Sequence, residues 1–280
     1  MKKISRRSFL AAAGLSVAAL ALTACGGSSS SVASSVASSA AASSEAASTS
    51  AAAGELTTVE AGKLTMATNA TFPPYEMTTD AGDIEGIDVE TAQAIADKLG
   101  LELQIDDMDF DAALLSVQQG KADIVMAGVT VTDERKAVMD FSDSYATGIQ
   151  SIIVPEGSDI ASPDDLAGKK IGTQRGTTGY IYCTDDFGED AVVAYDSGLT
   201  AVQALNNGQV DAVVIDNAPA KEFVAANPGL VILDTSYAEE DYAIGMAKGS
   251  SLEDAVNAAL EELKADGTLQ SIVDKYITAE

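Results

Sequence analysis

The chain has 280 residues, with 16 lysines and arginines against 43 aspartates and glutamates, and it has no histidine. A net charge of −27 disfavours nucleic acid and anionic lipid surfaces as partners. The lack of histidine excludes Ser-His and Cys-His nucleophile pairs, histidine zinc sites and the commonest general base. Catalysis by carboxylates alone or calcium binding stays open, but Asp106, Asp107 and Asp109 lack the spacing of a calcium loop. We therefore expect no metal and no cofactor.

The amino terminus has the pattern of an export signal. Four basic residues within positions 2–7 precede an apolar run from Phe9 to Leu22. This run is too short for a membrane-spanning helix, which needs about 20 apolar residues. Residues 22–25, Leu-Thr-Ala-Cys, resemble the lipobox of bacterial lipoproteins. Residues 1–24 are therefore predicted to be a signal peptide and Cys25 to be the lipidated first residue of the mature protein. The basic start also resembles a twin-arginine motif, so both the Sec and the Tat export routes stay open.

Residues 25–58 consist mostly of serine and alanine. Such a segment buries too little apolar surface to offset the entropy lost on ordering, so we interpret it as a disordered tether between a lipid anchor and a folded domain. Cys183 then has no partner, and no disulfide is expected. We interpret Cys183 as a small buried hydrophobic residue rather than a reactive thiol.

Predicted strands and amphipathic helices alternate through the rest of the chain. The first strand covers Leu64 to Ala67, and one apolar helix face runs from Val89 to Leu99 and ends at Gly100. Further strands are predicted over residues 124–126, 152–154, 170–173 and 231–233, and further helix faces over residues 256–263 and 272–276. This alternation is typical of an α/β protein.

An internal repeat divides the folded region. Residues 117–126 match residues 205–214 at a constant offset, and each copy predicts a helix end with a glycine, a short turn and a buried strand. Two α/β lobes of similar design are expected. The same offset pairs Gly128 with Asp216, so both are predicted just past the carboxyl ends of equivalent strands, where ligands of open α/β sheets bind.

The segment after the strand at residues 124–126 suits a small carboxylate ligand. Gly128 permits close approach to the backbone, and Arg135 can donate two parallel N–H···O bonds to a carboxylate. If the two lobes face each other, Arg135 and Asp216 would lie on opposite walls of a cleft. A cation and an anion placed in this way suit the carboxylate and the ammonium group of an α-amino acid.

Residues 127–135, Ala-Gly-Val-Thr-Val-Thr-Asp-Glu-Arg, resemble the AGxTxTxxR signature of bacterial extracellular solute-binding proteins of family 3, the polar amino-acid receptors of ABC importers. Further matches occur in the family's order and extend the resemblance over about residues 62–278: residues 69–75, 86–89, 140–145, 176–179 and 264–268. The resemblance implies an α/β fold with two lobes, the periplasmic-binding-protein or Venus flytrap fold of type II. Each lobe is expected to have a mixed sheet flanked by helices.

The resemblance also implies domain boundaries. Residues 59–147 and 238–280 would form lobe 1, and residues 148–237 would form lobe 2. Two extended crossovers are expected near residues 145–148 and 237–240, where short paired connections permit hinge closure.

The family's ligand positions fall on named residues of this chain. The resemblance implies that Arg135 of lobe 1 and Thr177 and Thr178 of lobe 2 bind the ligand carboxylate, and that Asp216 binds the ammonium group. Gly128 and Thr130 would face the cleft beside Arg135. The ligand side chain would be surrounded by Phe72, Tyr75, Phe110 and Asn69, and Gln174 would lie at the edge of the pocket as a ligand contact or as part of a solvated rim. Thr177 can also be a helix cap, and Tyr75 can also belong to the core of lobe 1. Asn69 stands where several relatives have an aspartate, which disfavours lysine or arginine as the ligand.

The function implied is that of a lipid-anchored, monomeric receptor at the extracytoplasmic face of the cytoplasmic membrane. It would capture a polar amino acid and deliver it to an ABC permease without catalysis. One alternative is an exported enzyme of the same fold that is similar to cyclohexadienyl (prephenate or arogenate) dehydratases, with Glu76 or Asp216 as the catalytic acid. The other is a ligand sensor.

Overall fold

The structure is a computed structural model that describes residues 56–277. The predicted signal peptide, Cys25 and nearly all of the predicted tether lie outside the described residues. Within residues 56–277, none of the helices is both long enough and apolar enough to cross a membrane.

Fourteen strands are assigned within the described range: β1 Lys63–Thr68, β2 Thr71–Phe72, β3 Glu76–Thr78, β4 Ile84–Glu85, β5 Glu102–Asp107, β6 Ile124–Val125, β7 Met139–Phe141, β8 Ala146–Pro155, β9 Ile171–Gln174, β10 Val192–Tyr195, β11 Ala212–Asp216, β12 Leu230–Ile232, β13 Ala238–Tyr242 and β14 Gly245–Ala247. The α-helices of the same range are α1 Ile87–Leu99, α2 Phe110–Gln118, α3 Asp133–Val138, α4 Thr178–Phe187, α5 Gly198–Asn206, α6 Asn217–Ala226, α7 Glu253–Ala265 and α8 Thr268–Tyr276. Two short 3₁₀ helices cover Pro163–Leu166 and Glu189–Ala191.

Lobe 1 is built on a mixed sheet with the strand order β5-β1-β6-β14-β7. Strand β1 is parallel to β5 and β6, whereas β14 is antiparallel to β6 and β7. Successive residues of β1 face opposite sides, so Leu64 and Met66 enter one apolar core with Ile95 of α1, and Ala67 enters a second core with Val117 of α2. Both faces of the sheet are therefore covered by helices, which explains its apolar strands.

Lobe 2 is built on a second mixed sheet with the strand order β10-β9-β11-β8-β12, and β13 also pairs with β8. Val213 and Val214 of β11 alternate between two cores on opposite faces of this sheet. Cys183 of α4 is fully buried in one of them, and burial raises the pKa of its thiol to about 12. A thiol with this environment is unreactive, in agreement with the interpretation of Cys183 as a small buried hydrophobic residue.

The internal repeat is confirmed. Helices α2 and α5 each end two residues before a glycine in the left-handed conformation, with φ of 67° at Gly120 and 66° at Gly208. Each turn leads into the equivalent strand, β6 in lobe 1 and β11 in lobe 2, and each of these is parallel to a neighbour in its sheet. The two α/β lobes predicted from the repeat are therefore present.

The chain passes between the lobes along two paired strands. The first half of β8 is antiparallel to β13, with Ala146 opposite Tyr242 and Gln150 opposite Ala238. The paired segments of β8 and β13 form a two-stranded ribbon, and the proposed domain boundaries after residues 147 and 237 lie in or next to it. Because its residues reach the space between the two sheets, the ribbon contributes side chains to the cleft.

Candidate functional site

Arg135 lies on the short helix α3, whose first turn is capped by Thr132: the Thr132 hydroxyl accepts from the backbone N–H of Arg135 at 3.2 Å. Its guanidinium is buried and donates to the carbonyl of Thr130 at 2.8 Å and to the carbonyl of Gly176 at 3.1 Å. It also lies over the Phe110 ring, with its central carbon 5.4 Å from the ring centroid. Gly176 belongs to lobe 2, so Arg135 already joins the two lobes.

Burial lowers the pKa of Arg135, while the Glu240 carboxylate opposes this effect most strongly among its neighbours. An arginine guanidinium nevertheless keeps its charge in proteins, because its ordinary pKa is far above neutral. With two of its five donors used on carbonyl groups, further N–H groups are available to a carboxylate in the cleft.

The lobe 1 wall beside Arg135 is shaped by Gly128 and Phe72. Gly128 has φ of +56°, and a Cβ atom at this position would lie 2.8 Å from the Phe72 ring. The Gly128 N–H donates to the buried carboxylate of Asp88 at 3.0 Å. The backbone at Gly128 therefore needs glycine both for its conformation and for the close approach of the ring.

Two threonines from opposite lobes meet at the base of the cleft. The hydroxyls of Thr130 in lobe 1 and Thr178 in lobe 2 are 3.4 Å apart, and each lies within hydrogen-bond distance of the same Glu240 oxygen, at 3.1 Å and 2.9 Å. Gln150 of β8 donates to that oxygen as well, at 3.0 Å. Glu240, on the crossover strand β13, is thus the point where both lobes and the crossover ribbon meet.

The lobe 2 wall is formed by the start of α4. Thr177 is the residue before this helix, and its hydroxyl accepts from the Tyr180 N–H while donating to the Gln174 carbonyl at 2.8 Å. Thr177 therefore has the capping role that was the alternative to ligand binding, and it also lines the cleft. Gln174 donates from its side-chain amide to Asn69 of lobe 1 at 2.9 Å, which closes one end of the cleft.

Asp216 ends strand β11 and precedes α6, but its side chain does not cap that helix. One of its oxygens accepts from the Tyr242 hydroxyl, and the other accepts from the Gln150 amide at 2.8 Å. Burial raises the pKa of Asp216 to about 7, and the bond from Tyr242 acts in the opposite direction. A cationic group in the cleft would favour its ionised form.

Glu76 is the first residue of β3 and is fully buried. No N–H or hydroxyl group of the described residues reaches its carboxyl oxygens, but Glu76 shares a side-chain hydrogen bond with the neighbouring Asp88 carboxyl. Burial and the nearby Asp88 carboxylate hold the pKa of Glu76 well above its usual range. Two carboxyl groups can share a hydrogen bond only when one of them carries a proton, and the raised pKa of Glu76 makes it the donor of this pair.

Together these side chains line a cavity between the lobes. All of the predicted ligand-binding residues except Tyr75 line it, and Glu76 and Ala127 complete the lining: Asn69, Phe72, Glu76, Phe110, Ala127, Gly128, Thr130, Arg135, Gln174, Thr177, Thr178 and Asp216. Tyr75 instead packs in the core, with its ring centroid 5.9 Å from that of Phe72 and 5.3 Å from that of Tyr242.

Three polar residues of the site were not predicted as ligand or support residues. The sequence predicts Glu76 only as a candidate catalytic acid, although its place directly after the matched residues 69–75 is a usable signal. Gln150 and Glu240 carried no local signal, because their positions at the cleft come from the pairing of β8 with β13.

Comparisons with known proteins agree with this geometry. Residues 64–279 match the model of the bacterial extracellular solute-binding proteins, family 3. The L-cystine-binding protein TcyJ of Escherichia coli (strain K12) is 34% identical over 79% of this chain and 85% of its own length. The arginine-binding extracellular protein ArtP of Bacillus subtilis (strain 168) is 34% identical over 78% of this chain and 87% of its own.

Solved structures show the same fold. The arginine-, lysine-, histidine-binding protein ArtJ of Geobacillus stearothermophilus has a TM-score of 0.75 and 34% identity, covering 78% of this chain and 96% of that one. An ancestral arginine-binding protein bound to glutamine has a TM-score of 0.74 and 42% identity, covering 78% of this chain and 99% of that one. The two-lobed α/β fold predicted from the sequence is confirmed, and the chain belongs to the bacterial extracellular solute-binding proteins of family 3.

Proposed function

We propose that this protein is the substrate-binding component of an ABC importer, and that it closes its two lobes over a polar amino acid. The observation that carries this proposal is the presence of buried Arg135 from lobe 1 and buried Asp216 from lobe 2 on one cavity. A zwitterion supplies the matching anion and cation. The relatives named for cystine and arginine binding support the same class of ligand.

In the proposed complex the ligand carboxylate binds the free N–H groups of Arg135 and the first-turn N–H groups of α4, beside Thr177 and Thr178. The amino end of a helix favours an anion because its backbone donors are unpaired. The ammonium group binds Asp216, and the rings of Phe72 and Phe110 cover the apolar part of the side chain.

Closure is driven by contacts that only the closed form makes. In this structure such contacts already join the lobes at Arg135 and Gly176, at Gln174 and Asn69, and at Thr130 and Thr178. A ligand that touches both walls adds to this set. The closed form is the one that we propose is presented to the permease.

We further propose that the mature chain is a monomer attached through lipid on Cys25 to the extracytoplasmic face of the cytoplasmic membrane. The support is the basic and apolar start of the chain followed by the lipobox-like residues 22–25. Expression of the full chain with Cys25→Ser tests the anchor. The wild type should enter the detergent phase on phase partition, whereas the variant should stay in the aqueous phase.

A thermal-shift screen of the twenty amino acids, cystine and ornithine tests the binding function. At least one polar amino acid should raise the melting temperature of the wild type, because a ligand that binds only the native state stabilises it. Arg135→Ala is the control and should lose the shift. A screen in which no amino acid stabilises the wild type would contradict the proposal. The dehydratase-like alternative has no support among the relatives, which are named for binding.

A further inference from the structure

Glu240 gathers hydrogen-bond donors from both lobes at the base of the cleft. Its Oε2 atom accepts from the Thr130 hydroxyl at 3.1 Å, from the Thr178 hydroxyl at 2.9 Å and from the Gln150 amide at 3.0 Å. All four side chains are buried. The two threonines line the ligand cavity, and Glu240 lines a neighbouring cavity that also reaches Thr130.

The two threonine hydroxyls have a limited number of hydrogens. Each hydroxyl can donate only one hydrogen bond. In the proposed function, Thr178 lies beside the ligand carboxylate, and Thr130 faces the cleft next to Arg135. A hydroxyl that donates to Glu240 cannot donate to a ligand at the same time. The Glu240 carboxylate and a ligand carboxylate therefore compete for the same hydrogens.

The charge of Glu240 acts on the same cation that is proposed to hold the ligand. Burial lowers the pKa of Arg135, and Glu240 is the acidic neighbour that raises it most. Glu240 thus shares three properties with a ligand carboxylate. These are its negative charge, its hydroxyl partners from both lobes and its favourable effect on the charged form of Arg135.

We propose that Glu240 is an internal substitute for the ligand carboxylate. In the unliganded receptor its bonds to Thr130 and Thr178 hold the two lobes together, and an incoming amino acid displaces it from both hydroxyls. This inference rests on the proposed function and adds a residue that sets the affinity of the site without belonging to the ligand cavity. A contact that is made only without ligand favours the unliganded closed form, so it lowers the apparent affinity.

The surroundings of Glu240 can stabilise it after displacement. The Gln150 amide lies on the ribbon side of Glu240, so its bond does not depend on the two hydroxyls. The neighbouring cavity is lined by Glu240 together with the exposed residues Lys136, Glu239 and Asp241. Water and the Lys136 ammonium group can therefore replace the hydroxyls as partners of the carboxylate.

Titration calorimetry of Glu240→Gln with L-arginine, L-glutamine and the best amino acid of the thermal-shift screen tests the proposal. The variant keeps the size of the side chain and one acceptor oxygen but removes the charge. Affinity should rise about 3- to 10-fold, because bonds to a neutral acceptor are weaker than bonds to a carboxylate. Glu239→Gln removes the same charge from the exposed neighbour, so it should leave affinity within about twofold of the wild type.

The sign of the change separates competition from a structural role. If Glu240 only joined the ribbon to the lobes, its bonds would persist in the liganded form, and weakening them would lower affinity or leave it unchanged. Glu240→Asp provides a second variant in case Glu240→Gln does not fold. It keeps the charge but is shorter by one methylene, which withdraws the carboxylate from the hydroxyls. It should also bind amino acids more tightly than the wild type.

Small-angle scattering without amino acid measures the effect on closure. Unliganded Glu240→Gln should have a larger radius of gyration than the unliganded wild type, and the two proteins should converge at saturating L-arginine or L-glutamine. Affinity that is unchanged or reduced in both folded variants would overturn the proposal. An unliganded wild type that is as open as Glu240→Gln would overturn it as well.

Failure of this inference is distinguishable from failure of the proposed function. If the wild type binds an amino acid and neither variant at position 240 binds it more tightly, only the internal substitute is removed. If the wild type binds no amino acid, the proposed function fails as well. Melting of each unliganded variant shows whether it is folded before its affinity is interpreted.

Discussion

The Arg135 guanidinium donates to the backbone carbonyl of Gly176 at 3.1 Å across the cleft between the lobes. One residue that is proposed to bind the ligand is therefore also one that joins the two lobes when they are closed. The bond to the Thr130 carbonyl and the contact with the Phe110 ring hold the guanidinium in one orientation, and this orientation sets the direction of its remaining N–H groups. Ligand affinity and lobe closure should consequently respond together to changes at this position.

Arg135→Ala should reduce amino-acid affinity by about 3–5 kcal/mol, because the ligand carboxylate would be buried without a partner. Isothermal titration with the best ligand of the thermal-shift screen measures the loss. Arg175→Ala is the matched control, since the Arg175 side chain is 56% exposed and lies 3.8 Å from Asp196 at the surface. Near-wild-type binding by Arg135→Ala would contradict the carboxylate assignment.

Gly176→Ala should weaken closure. Gly176 has φ of +74°, and a Cβ atom there would lie 1.6 Å from a carboxylate oxygen of Asp111 in lobe 1. The closed form should lose about 1–3 kcal/mol, the usual cost of overpacking, and ligand affinity should fall with it. Titration calorimetry and small-angle scattering with ligand measure the two effects.

Gly208→Ala is the control for this variant. Its φ of +66° gives a similar backbone cost, but no atom lies within 4 Å of the added Cβ. Both variants should lose similar thermal stability, while only Gly176→Ala should lose affinity. The double variant Gly176→Ala with Asp111→Ala should recover affinity. If Gly208→Ala weakens binding equally, steric contact across the cleft is not the cause.

The unliganded protein should become less stable as the pH rises from about 4 to about 7. The pKa of Asp216 is raised to about 7 and that of Asp88 to about 6, in both cases mainly by burial. In this window the folded state retains protons that the unfolded state has released, so the free energy of unfolding falls with rising pH. Melting temperatures at pH 5 and pH 8 measure the change, and Asp216→Asn should make it smaller.

Surface acids do not reverse this trend. Salt bridges and hydrogen bonds lower the pKa of Asp140 and Asp159, so the stability that these groups contribute is lost only as the pH falls through their lowered values. Their effect lies below the window of Asp216 and Asp88. A melting temperature that rises steadily from pH 5 to pH 8 would show that the buried carboxyl groups are not protonated in the folded state.

Local sequence patterns predicted much of the fold and part of the site. Gly128 and Arg135 follow strand β6 and Asp216 ends strand β11, and the carboxyl ends of these equivalent strands face the same cleft. The repeated glycines at 120 and 208 predicted the turns that position those strands, because both adopt a left-handed conformation that glycine accommodates readily. These are short-range signals, so one sequence was sufficient.

The buried polar network could not be predicted in the same way. Glu240 is 110 residues from Thr130 and 62 residues from Thr178 along the chain, yet one of its oxygens lies within hydrogen-bond distance of both hydroxyls. This contact depends on the register of β13 against β8, which no local pattern determines. The same holds for Gln150, which lies in a strand whose apolar residues dominate its pattern.

Glu240→Ala should destabilise the fold more than any exposed acid would. The substitution leaves Thr130, Thr178 and Gln150 without their common acceptor in a buried place, and the free energy of unfolding should fall by about 2–5 kcal/mol. Glu240→Gln should cost less, because its side-chain carbonyl can still accept these bonds. Urea denaturation measures both, with Glu239→Ala, an exposed neighbour, as the control. If Glu240→Ala is no less stable than Glu239→Ala, the three donors have found other partners and the carboxylate does not join the lobes.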